Sequence, residues 1–182
     1  MTSCPKCRGR ALSPTWLAEG LSAKGCQACG GTLVDLLAYR AWAHQKGVDA
    51  VSAGSASGVA IDDTKQAIPC PNCDAVMTKF RLAASADNKV DFCSNCDEVW
   101  LDGGEWQQLE DLGLRQNLGS VFTEPWQRHV RAGIADQAHE SLLRERFGGD
   151  FGRIAEFRAW VVQHPEYERI MAWLRDRHSG SN

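Results

Sequence analysis

Eight cysteines carry the chemistry that this sequence can be read for, and all eight fall in Cys-x-x-Cys pairs: Cys4/Cys7, Cys26/Cys29, Cys70/Cys73 and Cys93/Cys96. Eighteen residues separate Cys7 from Cys26, nineteen separate Cys73 from Cys93, and forty separate Cys29 from Cys70. The pairs therefore group into two sets of four, each with the spacing of a structural zinc site. A Cys-x-x-Cys turn lets two thiolates converge on one metal, and two such turns close a tetrahedral sulfur cage. Such a cage leaves no position open for water or substrate, so it holds a fold and activates no nucleophile. Three rivals compete with zinc. Disulfides suit an oxidising compartment, and adjacent Cys-x-x-Cys pairs favour metal over them. A redox Cys-x-x-Cys is expected once, within a βαβ pattern, and not four times. Iron in a rubredoxin-like cage shares the tetrahedral four-sulfur preference and remains a chemical alternative. The expected cofactor is Zn2+, two per chain, with Cys4, Cys7, Cys26, Cys29, Cys70, Cys73, Cys93 and Cys96 as ligands.

The elements that must position these sulfurs repeat. Each copy has Pro after its first cysteine (Pro5, Pro71) and Asp six residues after its last (Asp35, Asp102). In the second copy Val76 to Leu82 alternates apolar and polar, as a half-buried strand does. Ala86-Asp87-Asn88-Lys89 supplies a turn, and Val90-Asp91-Phe92 leads back to the second cysteine pair. A short hairpin pinned at its ends by two cysteine turns is too small to fold on its core alone, so metal binding supplies much of its folding free energy. A helix follows each hairpin. Asp102 caps one running from Gly103 to about Leu112, with Glu105 reaching back to the Asp102 N–H as in a capping box. Asp35 opens the other, through His44 to about Gly47, without a reciprocal acid because Ala38 stands there; that helix is expected to be the less firmly anchored.

The run Cys-Pro-x-Cys, hairpin, Cys-x-x-Cys, then Val99-Trp100-Leu101-Asp102-Gly103-Gly104-Glu105, resembles the bacterial TFIIB-type zinc-ribbon family. The Trp-Leu-Asp-x-Gly-Glu stretch of the second copy is the closer match. The first copy keeps the cysteines and Asp35 but has Leu33 for the Trp, Leu36-Leu37 for the glycines and Ala38 for the Glu. The resemblance covers about residues 4–46 and 70–112. It implies a zinc-binding module with metal at all eight cysteines; it does not by itself imply DNA binding.

The fold class expected is a small metal-stabilised α+β protein: two tandem zinc ribbons, each a short β-hairpin followed by a helix, plus a C-terminal helical unit of about three helices. Its segments are 1–47 (first ribbon and helix, the degenerate copy), 48–66 (a Ser/Gly/Ala-rich flexible linker), 67–113 (second ribbon and helix) and 123–178 (helical unit). In the last, Trp126, Val130, Ile134, Ala138 and Leu142 fall four apart on one helical face. Gly148-Gly149 ends that helix. Ile154, Phe157 and Val161 line a second, and Pro165 opens a third carrying Tyr167, Ile170, Met171 and Leu174. Trp126, Trp160 and Trp173 read as core or rim residues of this unit.

Charge and composition exclude several classes. The 182 residues carry a net charge of −3, so bulk charge does not drive nucleic-acid binding. No apolar run approaches the ~20 residues of a membrane-spanning helix, and the N-terminal residues lack a signal-peptide stretch, so the expected location is cytoplasmic with no membrane partner. The five histidines show no metal-ligand spacing, and no nucleophile–base or paired-carboxylate arrangement can be argued from spacing; no catalytic residue is assigned and no enzyme is expected. The copies differ in charge. Residues 1–47 hold six Lys/Arg against two Asp/Glu, and residues 67–122 hold four against nine. The function read from this is a non-catalytic recognition or adaptor protein whose partner is another protein. The alternative is a nucleic-acid-binding, transcription-related factor meeting phosphate through Lys6, Arg8, Arg10 and Lys24, with Trp16 as a stacking platform. A further alternative is an iron electron carrier.

Overall fold

The computed structural model describes residues 2–46 and 65–176. Most of the linker assigned to 48–66, together with His178 and the end of the 123–178 segment, lies outside the described residues. Two compact units divide the chain, Met1–Ile134 and Ala135–Asn182.

Each sequence copy forms a hairpin and one further strand. The first contributes β1 (Ser13–Ala18), β2 (Leu21–Gly25) and β3 (Thr32–Asp35), and the second contributes β4 (Thr78–Arg81), β5 (Lys89–Cys93) and β6 (Glu98–Leu101). The two sets share one six-stranded sheet in the order β1-β2-β3-β6-β5-β4, every neighbouring pair antiparallel. The seam is β3 on β6, with Thr32 opposite Leu101, Leu33 opposite Trp100, Val34 opposite Val99 and Asp35 opposite Glu98. Leu33 and Trp100 occupy the same place in their copies, four residues after the last cysteine. A local two-fold therefore passes through this pair, and the duplication read from the cysteines appears as symmetry within one sheet.

Alternation of side chains along the strands gives the sheet two different faces. Val34, Val90, Val99 and Leu101 sit on one, packed with Leu21 and Ala23 beneath the helices. Helix α1 (Leu36–Lys46) buries Leu36, Tyr39 and Trp42 there. Helix α2 (Glu105–Asp111) buries Leu109, and the short α3 (Leu118–Val121) buries Leu118 and Val121. The opposite face carries a second core in which Leu33, Ile68, Met77 and Trp100 pack among Cys4, Cys26, Cys70 and Cys93. The hydrophobic cores thus lie on either side of the sheet, and the second is made jointly by both copies.

The helix ends follow local chemistry. Asp35 caps α1 as the sequence indicates, its Oδ1 accepting the Ala38 N–H at 2.6 Å. Side chains add to the cap in holding α1. The Tyr39 hydroxyl donates to the Arg115 carbonyl and accepts from the Leu118 N–H, each at 2.9 Å, and the Trp42 indole donates to the Glu19 carbonyl at 3.0 Å. Arg115 in turn lies over the rings of Trp42 and Trp106. Helix α2 begins at Glu105 and not at Gly103, because Gly104 takes a left-handed φ of 93° at the N-cap position and no side chain caps it. At its C-terminus Gly113 (φ 67°) donates to the Glu110 carbonyl and Leu114 to the Leu109 carbonyl, the paired closure that a left-handed glycine permits.

Helix α4 (Glu124–Phe147) is the long helix expected after Thr123. The Thr123 hydroxyl donates back to the Ser120 carbonyl at 2.7 Å. Within the first unit, the Trp126 indole donates to the Leu82 carbonyl and the Gln127 amide to the Arg81 carbonyl. Phe122 stacks on Phe92 with ring centroids 4.6 Å apart. The second unit holds the rest of α4, a tight turn at Gly148–Asp150, α5 (Phe151–Val162) and α6 (Tyr167–Arg175). The three helices read from the sequence are present. Their apolar faces are largely open, however, since Val161 is the buried residue of α5 and none of α6 is buried. Trp160 is 53% exposed and Trp173 66%, whereas Trp126 is half-buried in the first unit.

Glycine at position 31 is required by the seam, because a Cβ there would clash with the Trp100 ring. Gly31→Ala should cost about 1–3 kcal/mol through overpacking. Gly152→Ala, in α5 with nothing near its Cβ position, should be neutral or gain up to about 1 kcal/mol. Urea unfolding of the two variants tests the difference.

Candidate metal centres

Four tight turns present the sulfurs. After the second cysteine of every pair the chain enters the left-handed region: Arg8 at φ 37°, Gly30 at 71°, Asp74 at 59° and Asp97 at 53°. That reversal closes each loop with backbone bonds. Gly30 N–H reaches the Cys26 carbonyl and Asp74 N–H the Cys70 carbonyl, both at 2.9 Å. Cys26, Cys70 and Cys4 N–H groups bond to the carbonyls of Gly31, Ala75 and Arg10, each at 2.8 Å. Backbone N–H groups also point at sulfur, Cys7 to Cys4 Sγ at 3.3 Å and Asn72 to Cys70 Sγ at 3.4 Å. Only Gly30 signals the left-handed position by residue type, and Asp at 74 and 97 is among the residues that tolerate it.

The structure gathers the cysteines as the sequence groups them. Cys4, Cys7, Cys26 and Cys29 form one cluster and Cys70, Cys73, Cys93 and Cys96 the other, with all sulfurs of a cluster within 4.8 Å of one another. Contacts run at 3.7 Å for Cys4–Cys29, at 3.5 Å for Cys70–Cys96, Cys73–Cys93 and Cys93–Cys96, and at 3.8 Å for Cys73–Cys96. Ligands at a Zn–S distance of ~2.3 Å lie about 3.8 Å apart along the edge of a tetrahedron. The observed separations match that edge and are far longer than the ~2.05 Å of a disulfide. Donor set and spacing therefore fit a tetrahedral cation in each cluster, and the sulfur cage suits zinc or iron alike.

The electrostatics of the clusters run parallel in the two copies. Burial pushes the Cys26 thiol up, but the N–H groups of Cys29 and Ala28 and the neighbouring sulfurs outweigh it and hold the group at about 7. Cys93 is held below its ordinary value in the same way, with the Asn95 N–H foremost against burial. Burial raises Cys4, Cys29, Cys70 and Cys96, and at Cys29 and Cys96 nearby sulfurs add to the rise. Cys26 and Cys93 are thus readied as thiolates by backbone donors, while Cys4, Cys29, Cys70 and Cys96 need a cation to ionise beside them.

A polar network joins the copies beside the clusters, and the sequence signalled only part of it. Asp102 was expected to cap α2. Its carboxylate instead accepts the Trp100 indole N–H at 2.9 Å and lies 3.8 Å from the Lys6 ammonium, which comes from the first cysteine turn of the other copy. The reason is the Gly103-Gly104 turn. A Cβ on Gly103 would stand 2.7 Å from the Cys29 carbonyl, so the glycine lets the chain pass tightly under the first cluster before the helix begins. The reciprocal arm is present: Glu105 Oε2 accepts the Asp102 N–H at 2.8 Å, and its Oε1 accepts from Asn88 at 3.2 Å. On the same face Lys79 pairs with buried Asp91 at 2.8 Å. Glu98, buried at the seam, has its carboxyl raised by burial and by Asp35 opposite, with Lys24 acting against both.

The other cationic candidates are exposed. Arg8, Arg10 and Lys24 face solvent, Trp16 is 70% exposed, and Lys6 is engaged with Asp102. No family model, no curated protein and no solved structure matches the chain. Among the described residues no helix is long and apolar enough to cross a membrane.

Removal of the Asp102 carboxylate strands a buried indole N–H and the Lys6 charge. Asp102→Ala should cost about 1–3 kcal/mol, and Asp102→Asn, which keeps an acceptor, should cost less. Both variants should bind as much metal as the parent protein. Denaturant unfolding beside metal analysis checks each part.

Proposed function

We propose that this chain is a non-catalytic recognition module built on two structural zinc ribbons, with one Zn2+ in each four-cysteine cluster. The carrying observation is that each cluster supplies four sulfurs at tetrahedral spacing from within the core that both copies share. Four thiolates saturate zinc and leave it no position for water or substrate, so the metal's role is to hold the fold. The Trp-Leu-Asp-x-Gly-Glu stretch that resembles the TFIIB-type zinc-ribbon family fits this reading, since Trp100, Asp102 and Glu105 tie the second copy's hairpin to its helix.

The partner is another protein. Phe157, Trp160, Trp173 and Leu174 of the second unit expose apolar and aromatic surface of the kind that anchors protein interfaces. These side chains lie outside the cores, so Trp160→Ala combined with Trp173→Ala should leave zinc content and the unfolding midpoint of the first unit unchanged. It should abolish the capture of any partner that the parent chain retains. A double variant that captures the same protein as strongly as the parent contradicts the assignment of this surface.

A second reading has one observation in its favour. Trp16 and Lys24 project from the same face of adjacent strands β1 and β2, Trp16 opposite Ser22 and two residues from Lys24 across the pair, as a base-stacking platform beside a phosphate contact requires. Salt-dependent binding of single-stranded RNA or DNA that is lost in Trp16→Ala and in Lys24→Glu would favour it over the protein partner.

Metal analysis tests the central assignment. Protein purified without chelator should contain two zinc ions per chain and be colourless. Visible absorption would mark iron, and fewer than two metals on folded protein would contradict the cages. Because each cysteine must be a thiolate to bind, acidification should release the zinc with uptake of protons.

A further inference from the structure

The two clusters are not equally sheltered. Cys73 is exposed, whereas the other seven cysteines are buried or half-buried, including Cys7 at the corresponding place in the first copy. The fixed charges also differ. The first cysteine turn of copy one carries Lys6, Arg8 and Arg10, where copy two has Asn72, Asp74 and Val76. A zinc ion with four thiolates is a dianion, and neighbouring cations draw electron density from its sulfurs. Around the second cluster Asp74 and Asp97 follow Cys73 and Cys96 directly and withdraw none. The one exposed cysteine therefore belongs to the cage whose own cysteine turns carry acidic and not basic residues. It also has partners at hand, Cys93 at 3.5 Å and Cys96 at 3.8 Å.

We propose that Cys73 is an oxidative modification site for hydroperoxides, at which the second cluster is converted to a disulfide with loss of its metal while the first cluster persists. The proposal rests on the zinc assignment above. The Cys73 sulfur attacks one oxygen of hydrogen peroxide; an S–O bond forms, the O–O bond breaks and hydroxide leaves, giving a sulfenic acid. The Cys93 thiolate then attacks the Cys73 sulfur; the S–S bond forms, the S–O bond breaks and a second hydroxide leaves. Two thiolates lose two electrons, and the peroxide gains them. Zinc is left with two protein ligands and departs. The pair must close from 3.5 Å to the ~2.05 Å of a disulfide, a local movement within one cage. Cys93 ends β5, where it pairs with Glu98 of β6, so the change reaches the seam strand. A thiol reductant with added zinc reverses it.

The test uses the full zinc-loaded chain. Hydrogen peroxide is titrated in, released zinc is followed with a metal-binding dye, and disulfides and remaining thiols are mapped by mass spectrometry after alkylation. The expected result is loss of one zinc equivalent before the other, with Cys73 joined to Cys93 or Cys96 and with Cys4, Cys7, Cys26 and Cys29 still reduced. Reductant and zinc should restore two equivalents. Concurrent release of both ions, earlier oxidation of the first cluster, or an unmodified Cys73 when the first equivalent leaves overturns this inference alone. A preparation that holds no zinc at all overturns it together with the metal assignment.

Discussion

Four cysteine sulfurs lie within 4.8 Å of one another in each cluster, and as thiolates they would repel unless a cation sat at their centre. The remainder of the first unit is organised by that requirement. Each cluster fixes the ends of a hairpin that is too short to fold alone. Their sulfurs double as apolar surface, so Cys4, Cys26, Cys70 and Cys93 complete a core with Leu33, Ile68, Met77 and Trp100. Strands β3 and β6 form the centre of the sheet, and their pairing joins two copies that each carry a four-cysteine cluster.

The copies have diverged where a symmetric pair could not be filled twice. The two-fold brings Leu33 opposite Trp100, and one large ring fills the space that two would contest. Gly31 makes room for that ring, while its counterpart in the second copy is Glu98. Trp100 then requires an acceptor for its indole N–H, which Asp102 provides, and the buried carboxylate is balanced by Lys6 from the first copy. The first copy has Leu33 and no such donor. Its Asp35 is left to cap α1, and Tyr39 and Trp42 tie that helix down. One aspartate position thus does two different jobs, and the choice follows from the residue two places before it.

The grouping of the cysteines into two clusters was legible because Cys-x-x-Cys spacing is set by local turn geometry. The second hairpin was legible only in part. Alternation located β4, but the strand is the shorter Thr78–Arg81. The turn falls at Ala84-Ser85, closed by the Ala86 N–H on the Ala83 carbonyl, and not at Ala86–Lys89, where Lys89 already belongs to β5. The pairing of β3 with β6 was not legible. Val99-Trp100-Leu101 is buried throughout and shows no alternation, and nothing local states that its partner lies some sixty-seven residues away in the other copy. The role of Asp102 was misjudged for the same reason: its carboxylate answers to Trp100 and Lys6, a contact that exists only once the copies have met. In the C-terminal helices, the four-residue spacing from Trp126 to Leu142 located the helix. It did not show where burial stops, with Val130 buried and Leu142 exposed.

The claim that metal in the cages holds the shared sheet together is tested most directly by amide hydrogen exchange on the zinc-loaded chain before and after chelation. The account predicts that removal of zinc abolishes protection along β3 and β6 together, at Val34 and Val99 alike. Protection of the β3–β6 seam that survives complete removal of the metal would contradict it.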